Sequence, residues 1–184
     1  MEFTADWFSH NIPIWEKIIL QRLPSGPRKW LELGSYEGRS AAWVLDNVIR
    51  DNADELVCVD RWYTAGTEAR FDANVGSRVT KINKDCSQTL FDFIAANREF
   101  DVIYIDGDHD GRVTLENAVL AWRVLKDNGL LVFDDYHFKS LLIHAPGRID
   151  TNRGIDAFLS TYYLNMRVLY HNWQVIIEKL PLVR

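Results

Sequence analysis

Long apolar runs are missing from this 184-residue sequence; the longest are strand-sized, so no segment reads as a membrane span. Runs of lysine or arginine are missing too. With a net charge of −5, the chain carries no electrostatic footprint for nucleic acid and no basic patch for a lipid surface. The opening MEFTADWFSHN has neither the basic nor the apolar part of an export signal, so the expected compartment is the cytoplasm. Cysteine is scarce: Cys58 and Cys86 lie in or beside apolar runs, and two buried, reduced thiols are expected rather than a disulfide or a metal pair. No repeat, low-complexity tract, long linker or shift in composition divides the chain. One domain over 1–184 is expected, long enough to bury a substantial core.

What is present alternates. Pro13, favoured in a first helical turn, opens a helix over 13–23 that Pro24-Ser-Gly-Pro27 stops. Short apolar runs predict strands at 29–33, 55–59, 78–82, 102–105 and 130–133. Helical periodicity predicts helices between them at 37–49, 67–75, 87–97 and 111–126, the last ended by Asn128-Gly129. Such alternation with doubly buried strands implies an α/β fold, a Rossmann-like doubly wound and mainly parallel sheet with helices on both faces. After a helix at 154–164, strands at 166–170 and 175–179 are joined by only His171-Asn-Trp-Gln174. That link is too short for a crossover helix, so the sheet should end in a C-terminal antiparallel hairpin.

In such sheets ligands bind outside the carboxyl ends of the strands. Those ends are crowded with polar residues: Glu32-Leu-Gly-Ser-Tyr-Glu-Gly-Arg-Ser40, Asp60-Arg-Trp62, Asn83-Lys-Asp-Cys86, Asp106-Gly-Asp-His109 and Asp134-Asp-Tyr-His137. Within YIDGDHDG, Asp106, Asp108, Asp110 and Gly111 match the start of a calcium loop. The twelfth position, however, is Asn117 rather than Glu, and a strand rather than a helix precedes it. Gly34 and Gly38 flank a strand-to-helix turn that either brings a ligand close to backbone N–H groups or simply needs positive φ. The dinucleotide fingerprint is absent because Tyr36 stands where its middle glycine would be. Glu32 beside the turn suits a cationic group, and Asp60 at the next strand end suits ribose hydroxyls. A nucleoside with a positively charged tail satisfies both.

ELGSYEGRSA, VCVD, DVIYIDGDH and GLLVFDDYH, in that order, resemble class I S-adenosylmethionine-dependent methyltransferases. The likeness is greatest to the small family that includes macrocin-type sugar O-methyltransferases, with catechol O-methyltransferase more distant, and covers roughly 29–179. The resemblance implies that Glu32, Gly34, Ser35, Gly38 and Ser40 wrap the methionine end of S-adenosyl-L-methionine, with Asp106 nearby, and that Asp60 holds the ribose. Arg61, Trp62, Asp85 and Cys86 would border the adenine. Trp62 alternatively serves as a half-buried rim residue, and Asp85 as a helix N-cap.

Asp106, Asp134 and Asp135 leave adjacent strands at one edge, so their carboxylates should converge and repel unless protonated or neutralised. Oxygen-only ligation favours Mg2+, Mn2+ or Ca2+, and metal-dependent members of the family carry aspartates at matching positions. A cation there would lower the pKa of an acceptor hydroxyl. Asp108 and His109 are the candidate bases; His109, with an ordinary pKa of about 6.5, suits neutral pH better. Asp110 is expected to cap the following helix. His137 could reach the acceptor or sit on the surface, whereas His10, His144 and His171 are assigned no role. Residues 136–153 are the expected acceptor loop, where Lys139, Arg148 and Arg153 meet an anionic acceptor or remain solvated. Residues 1–28 form a helical cover over the cofactor, or a contact between copies in a homo-oligomer. The expected partner is a small-molecule acceptor, a sugar, glycoside or phenol, with no nucleic acid and no membrane. Three readings follow: a metal-assisted O-methyltransferase, a metal-independent methyltransferase acting on N or O, and a non-catalytic nucleoside-binding domain.

Overall fold

The computed structural model describes residues 1–139 and 147–181. Residues 140–146, with His144 and the middle of the expected acceptor loop, lie outside the described residues. The elements run β1 (Lys29–Leu33), α2 (Arg39–Asn47), β2 (Glu55–Asp60), α3 (Thr67–Val75), β3 (Thr80–Asn83), α4 (Cys86–Ala95), β4 (Phe100–Ile105), α5 (Gly111–Val124), β5 (Leu125–Phe133), α6 (Thr151–Tyr162), β6 (Met166–His171) and β7 (Val175–Lys179). Before them a short α1 (Ile12–Ile14) lies between a 3-10 turn at Ser9–Asn11 and a π-helical turn at Trp15–Ile19. Helical structure therefore starts earlier than Pro13, which sits in the first turn of α1. Among the described residues, no helix is long and apolar enough to cross a membrane.

The strands form one seven-stranded sheet in the order β3-β2-β1-β4-β5-β7-β6. The first five are parallel, and β7 runs antiparallel to both β5 and β6. The terminal hairpin thus forms as the short link requires. The order reverses between β1 and β4, which places the crevice for a ligand at their carboxyl ends.

Strand alternation feeds two cores. Leu31, Val57, Ile103 and Leu131 face one side, against Leu90, Ala121 and Phe158 of α4, α5 and α6. Trp30, Leu56, Val102 and Val132 face the other, against Trp15, Val44 and Phe71. Continuous apolar runs are what two covered faces demand.

One expected boundary moves. Helix α5 ends at Val124 and strand β5 begins at once, so Asn128-Gly129 does not cap a helix. Asn128 instead adopts φ 63° inside β5, near where the β4–β5 register shifts between Phe100 and Val102. A Cβ on Gly129 would lie 2.8 Å from the Lys126 carbonyl oxygen and 3.0 Å from that of Asp101. The pair builds a local irregularity that only a small residue fits.

Gly34 is the tightest point between the two central strands. At φ 90°, its absent Cβ would lie 2.1 Å from the carbonyl oxygen of Asp106. Gly34→Ala should therefore cost at least about 3 kcal/mol, from backbone strain and overpacking combined. Urea unfolding of the variant beside Gly26→Ala, where nothing lies within 4 Å, measures this directly.

Candidate functional site

A cleft of about 1340 Å³ opens at the carboxyl ends of the parallel strands. Its wall takes in residues 5–8, the turn after β1, the ends of β2, β4 and β5, the start of α4, and Trp173 from the hairpin. Tyr36 (φ 44°), Trp62 (φ 42°) and Asp135 (φ 56°) follow β1, β2 and β5. They are three of the five non-glycine residues with positive φ among the described residues, so backbone strain is concentrated around this cleft.

Asp60 organises the first turn. Its Oδ2 accepts from the backbone N–H groups of Ser35 and Tyr36, both at 2.8 Å, and its Oδ1 from that of Trp62 at 2.8 Å. Gly34, Ser35, Ser40, Asp60, Arg61, Asp85, Cys86 and Asp106 all line the cleft. Gly38, at φ 79°, begins α2, and a Cβ there would press to 2.8 Å from the Val75 side chain. Asp85 caps α4 by accepting from the Gln88 N–H and also faces Arg61 at 3.4 Å, so capping and cleft lining coexist. Burial pushes the Cys86 thiol up to about 12, so it stays protonated and inert at neutral pH.

Two expected ligands lie elsewhere. Glu32 is fully buried and absent from the cleft wall, because strand alternation points it at the α2 side, in register with Cys58 and Tyr104. Ser40 Oγ donates to its Oε1 at 3.1 Å, while Oε2 and the nearby Ser35 Oγ have no partner. Burial, reinforced by the charge of Asp60, raises the Glu32 carboxyl to about 8. Trp62 also turns inward. Its indole packs 4.9 Å from Phe71 and donates to the Tyr36 carbonyl at 2.7 Å, leaving Tyr63 and Phe91 on the cleft.

The acidic centre lies at the ends of β4 and β5. Ligand atoms of Asp106, His109 and Asp135 fall within 4.8 Å of one another, with His109 Nε2 2.8 Å from Asp135 Oδ2. Asp134 lines the cleft but stands outside that trio. Its Oδ2 accepts from Tyr104 Oη, from Gln174 Nε2 at 3.0 Å and from Asn11 Nδ2 at 3.4 Å; its Oδ1 accepts from the Asp135 N–H at 2.8 Å. Tyr104 Oη also lies 3.0 Å from Asp106 Oδ2. Burial and then the neighbouring carboxylates push Asp106 well above the usual carboxylate range, and the same two causes raise Asp134.

Asp110 caps α5 as expected, and the Arg112 guanidinium holds its carboxyl down at about 2. Asp108 is engaged at both oxygens, by the Asp110 N–H at 2.9 Å and by Arg148 at 3.1 Å. Arg148 thus forms an ion pair rather than remaining solvated. Lys139 lies 3.6 Å from Asp150. His137 is exposed, with its ring 5.3 Å from Trp173. His10 lines the cleft wall, a placement not anticipated from the sequence. Sequence reasoning also missed Asn11, Tyr104 and Gln174 around Asp134, and the cleft aromatics Tyr63, Phe91 and Trp173. Trp7 and Phe138, which line the cleft too, fall within the expected N-terminal cover and the expected acceptor loop.

Sheet order, reversed terminal hairpin and a carboxylate-ringed cleft at the switch point define a class I S-adenosylmethionine-dependent methyltransferase fold. Residues 31–136 match the family model described as a methyltransferase domain. The chain belongs to that methyltransferase family. An O-methyltransferase from Bacillus cereus, solved in complex with SAH, superposes with a TM-score of 0.73 at 14% identity, over 97% of this chain and 84% of its own. MycE methyltransferase from the mycinamycin biosynthetic pathway, solved with Mg, SAH and mycinamycin VI, gives 0.70 at 13% identity, over 96% of this chain and 51% of its own. An uncharacterised protein of Acanthamoeba polyphaga mimivirus is 27% identical over 115 residues, 58% of this chain. The chain spans about half (51%) of that curated relative's length.

The state of Glu32 predicts a pH signature. With a carboxyl near 8 in the folded protein and about 4.5 unfolded, the folded state holds an extra proton between those values. The contribution is complete below about pH 4.5 and is lost as pH rises through 8, so the carboxylate destabilises the fold in alkali. Glu32→Gln should flatten the fall in melting temperature over that window. A melting curve as steep as that of the parent would contradict this assignment.

Proposed function

We propose that the protein transfers a methyl group from S-adenosyl-L-methionine to a hydroxyl of a small, uncharged acceptor. The observation that carries this reading is one cleft lined both by the glycine turn at Gly34 and Ser35 and by the carboxylate–imidazole centre of Asp106, His109 and Asp135. The backbone turn at Gly34 and Ser35, with Ser40 beside it, lines the cleft and fits the methionine end of the donor. Asp106 replaces Glu32 as the carboxylate facing the donor's ammonium group, and Glu32 supports Ser40 from behind. Asp60 both sets the turn and faces the ribose, and Arg61, Asp85 and Cys86 border the base.

The donor set fits a divalent cation, Mg2+ or Mn2+. Asp106 and Asp135 offer carboxylate oxygens, while burial and mutual repulsion leave the cluster short of positive charge. Asp134, which lines the cleft but is already bonded by three side chains, positions this pair. A bound cation would lower the acceptor hydroxyl's pKa and fix its direction. His109 is the base of choice because an imidazole exchanges a proton near neutral pH, whereas Asp108 is paired with Arg148 at 3.1 Å. In the reaction a carbon–oxygen bond forms as the donor's carbon–sulfur bond breaks. The electron pair remains on sulfur, and the hydroxyl proton passes to His109.

The charge of the cleft argues against nucleic acid as acceptor. Nine carboxylate side chains line it among the described residues but only two arginines, Arg39 and Arg61, and these already face Asp6 and Asp85. A polyphosphate chain would be repelled. Residues 1–28 act as a cover within a single domain, and the work is done in the cytoplasm.

A second reading rests on the 2.8 Å contact of His109 with Asp135, which can orient a general base and stabilise the imidazolium formed when it takes the proton, without any metal. Calorimetry and chelation separate the two. S-adenosylhomocysteine should bind the wild-type protein, and Asp60→Ala should weaken that binding about tenfold or more. Asp135→Ala should leave binding near normal yet abolish turnover. EDTA should silence the enzyme, and Mg2+ or Mn2+ should restore it. Full turnover in EDTA selects the metal-free reading, and absence of S-adenosylhomocysteine binding removes both.

A further inference from the structure

Resting on the reading above, we infer that Trp173 forms the acceptor platform, and that the acceptor is a ring with a flat apolar face bearing the reacting hydroxyl. Trp173 stands in the three-residue link of the β6–β7 hairpin, between two polar neighbours, Asn172 and Gln174. Trp173 is itself 53% exposed, although a buried position would release far more water from an indole. Nothing about the hairpin turn calls for tryptophan. Yet the residue is held firmly: its carbonyl accepts from the Tyr136 N–H at 2.9 Å and His137 packs edge-on against its ring at 5.3 Å. The next residue, Gln174, is 1% exposed and bonds both Asp134 and Trp15. An exposed indole is therefore fixed beside the acidic centre and lines the same cleft.

Opposite features agree. Phe138 also lines the cleft, its ring 4.4 Å from that of His109, so the proposed base lies against an aromatic wall. Two aromatic faces near a proton acceptor suit a ring placed with its hydroxyl towards His109 and Asp135. The carboxylates around it disfavour an acceptor that carries its own carboxylate or phosphate. Both an aromatic diol and the C–H face of a pyranose offer the required flat apolar surface, and both can carry the hydroxyl.

Saturation-transfer NMR on the S-adenosylhomocysteine-loaded protein tests this without relying on turnover, using catechol and methyl β-glucopyranoside as separate probes. At least one ring should receive saturation from the wild-type protein, and Trp173→Ala should reduce that transfer sharply, whereas Trp173→Phe should retain most of it. With turnover assayed on the same probes, Trp173→Ala should raise KM about tenfold, the loss of roughly one aromatic contact, with kcat and donor affinity little changed. The probe that responds identifies the aromatic or the sugar source. Transfer to neither ring, or transfer undiminished in Trp173→Ala, overturns the inference. Ring binding that depends on Trp173 in a protein without methyl transfer would instead sustain the platform and overturn the proposed activity.

Discussion

The close approach of the turn after β1 to the end of β4 governs the rest of the molecule. Gly34 packs where any side chain would strike the backbone of Asp106. The Asp106 N–H donates to the Leu33 carbonyl at 2.8 Å, and the Gly34 N–H donates to that of Val59 at 2.8 Å. These contacts hold the ends of three strands side by side at the point where strand order reverses. They also place the glycine turn and the acidic centre within one hollow. Without that approach the sheet could still pair, but the groups for donor and acceptor would lie on separate rims.

Much of this arrangement was legible in the residues. Buried parallel strands must be apolar on both faces, so runs such as Leu56–Val59 and Ile103–Ile105 reveal themselves without periodicity. Asp110 was legible as a cap because a short carboxylate before a helix has one obvious donor to satisfy. The hairpin followed from chain length alone. Strand order told which acidic residues would share an edge.

What could not be read depends on partners far away in the sequence or on backbone torsions. Asp134 and Asp135 look equivalent as neighbours, yet Gln174, Asn11 and Tyr104 take up Asp134 while Asp135 joins His109. Trp62 faces inward because its left-handed backbone turns the chain at the end of β2. Glu32 reads as a ligand from its motif, but the parity of its strand buries it under α2. The docking of the N-terminus was equally hidden. Thr4 bonds the buried Glu37 at 2.6 Å through its N–H, and Asn74 meets the backbone of Glu2 on both its donor and acceptor sides.

The attachment of Asp134 has a consequence for what the acidic centre draws on. Asn11 approaches it from before β1 and Gln174 from the β6–β7 link, with Trp15 bonded to Gln174 at 2.8 Å between them. Loosening either segment removes a donor from Asp134, so a disturbance well away from the cleft wall is felt at the carboxylates inside it.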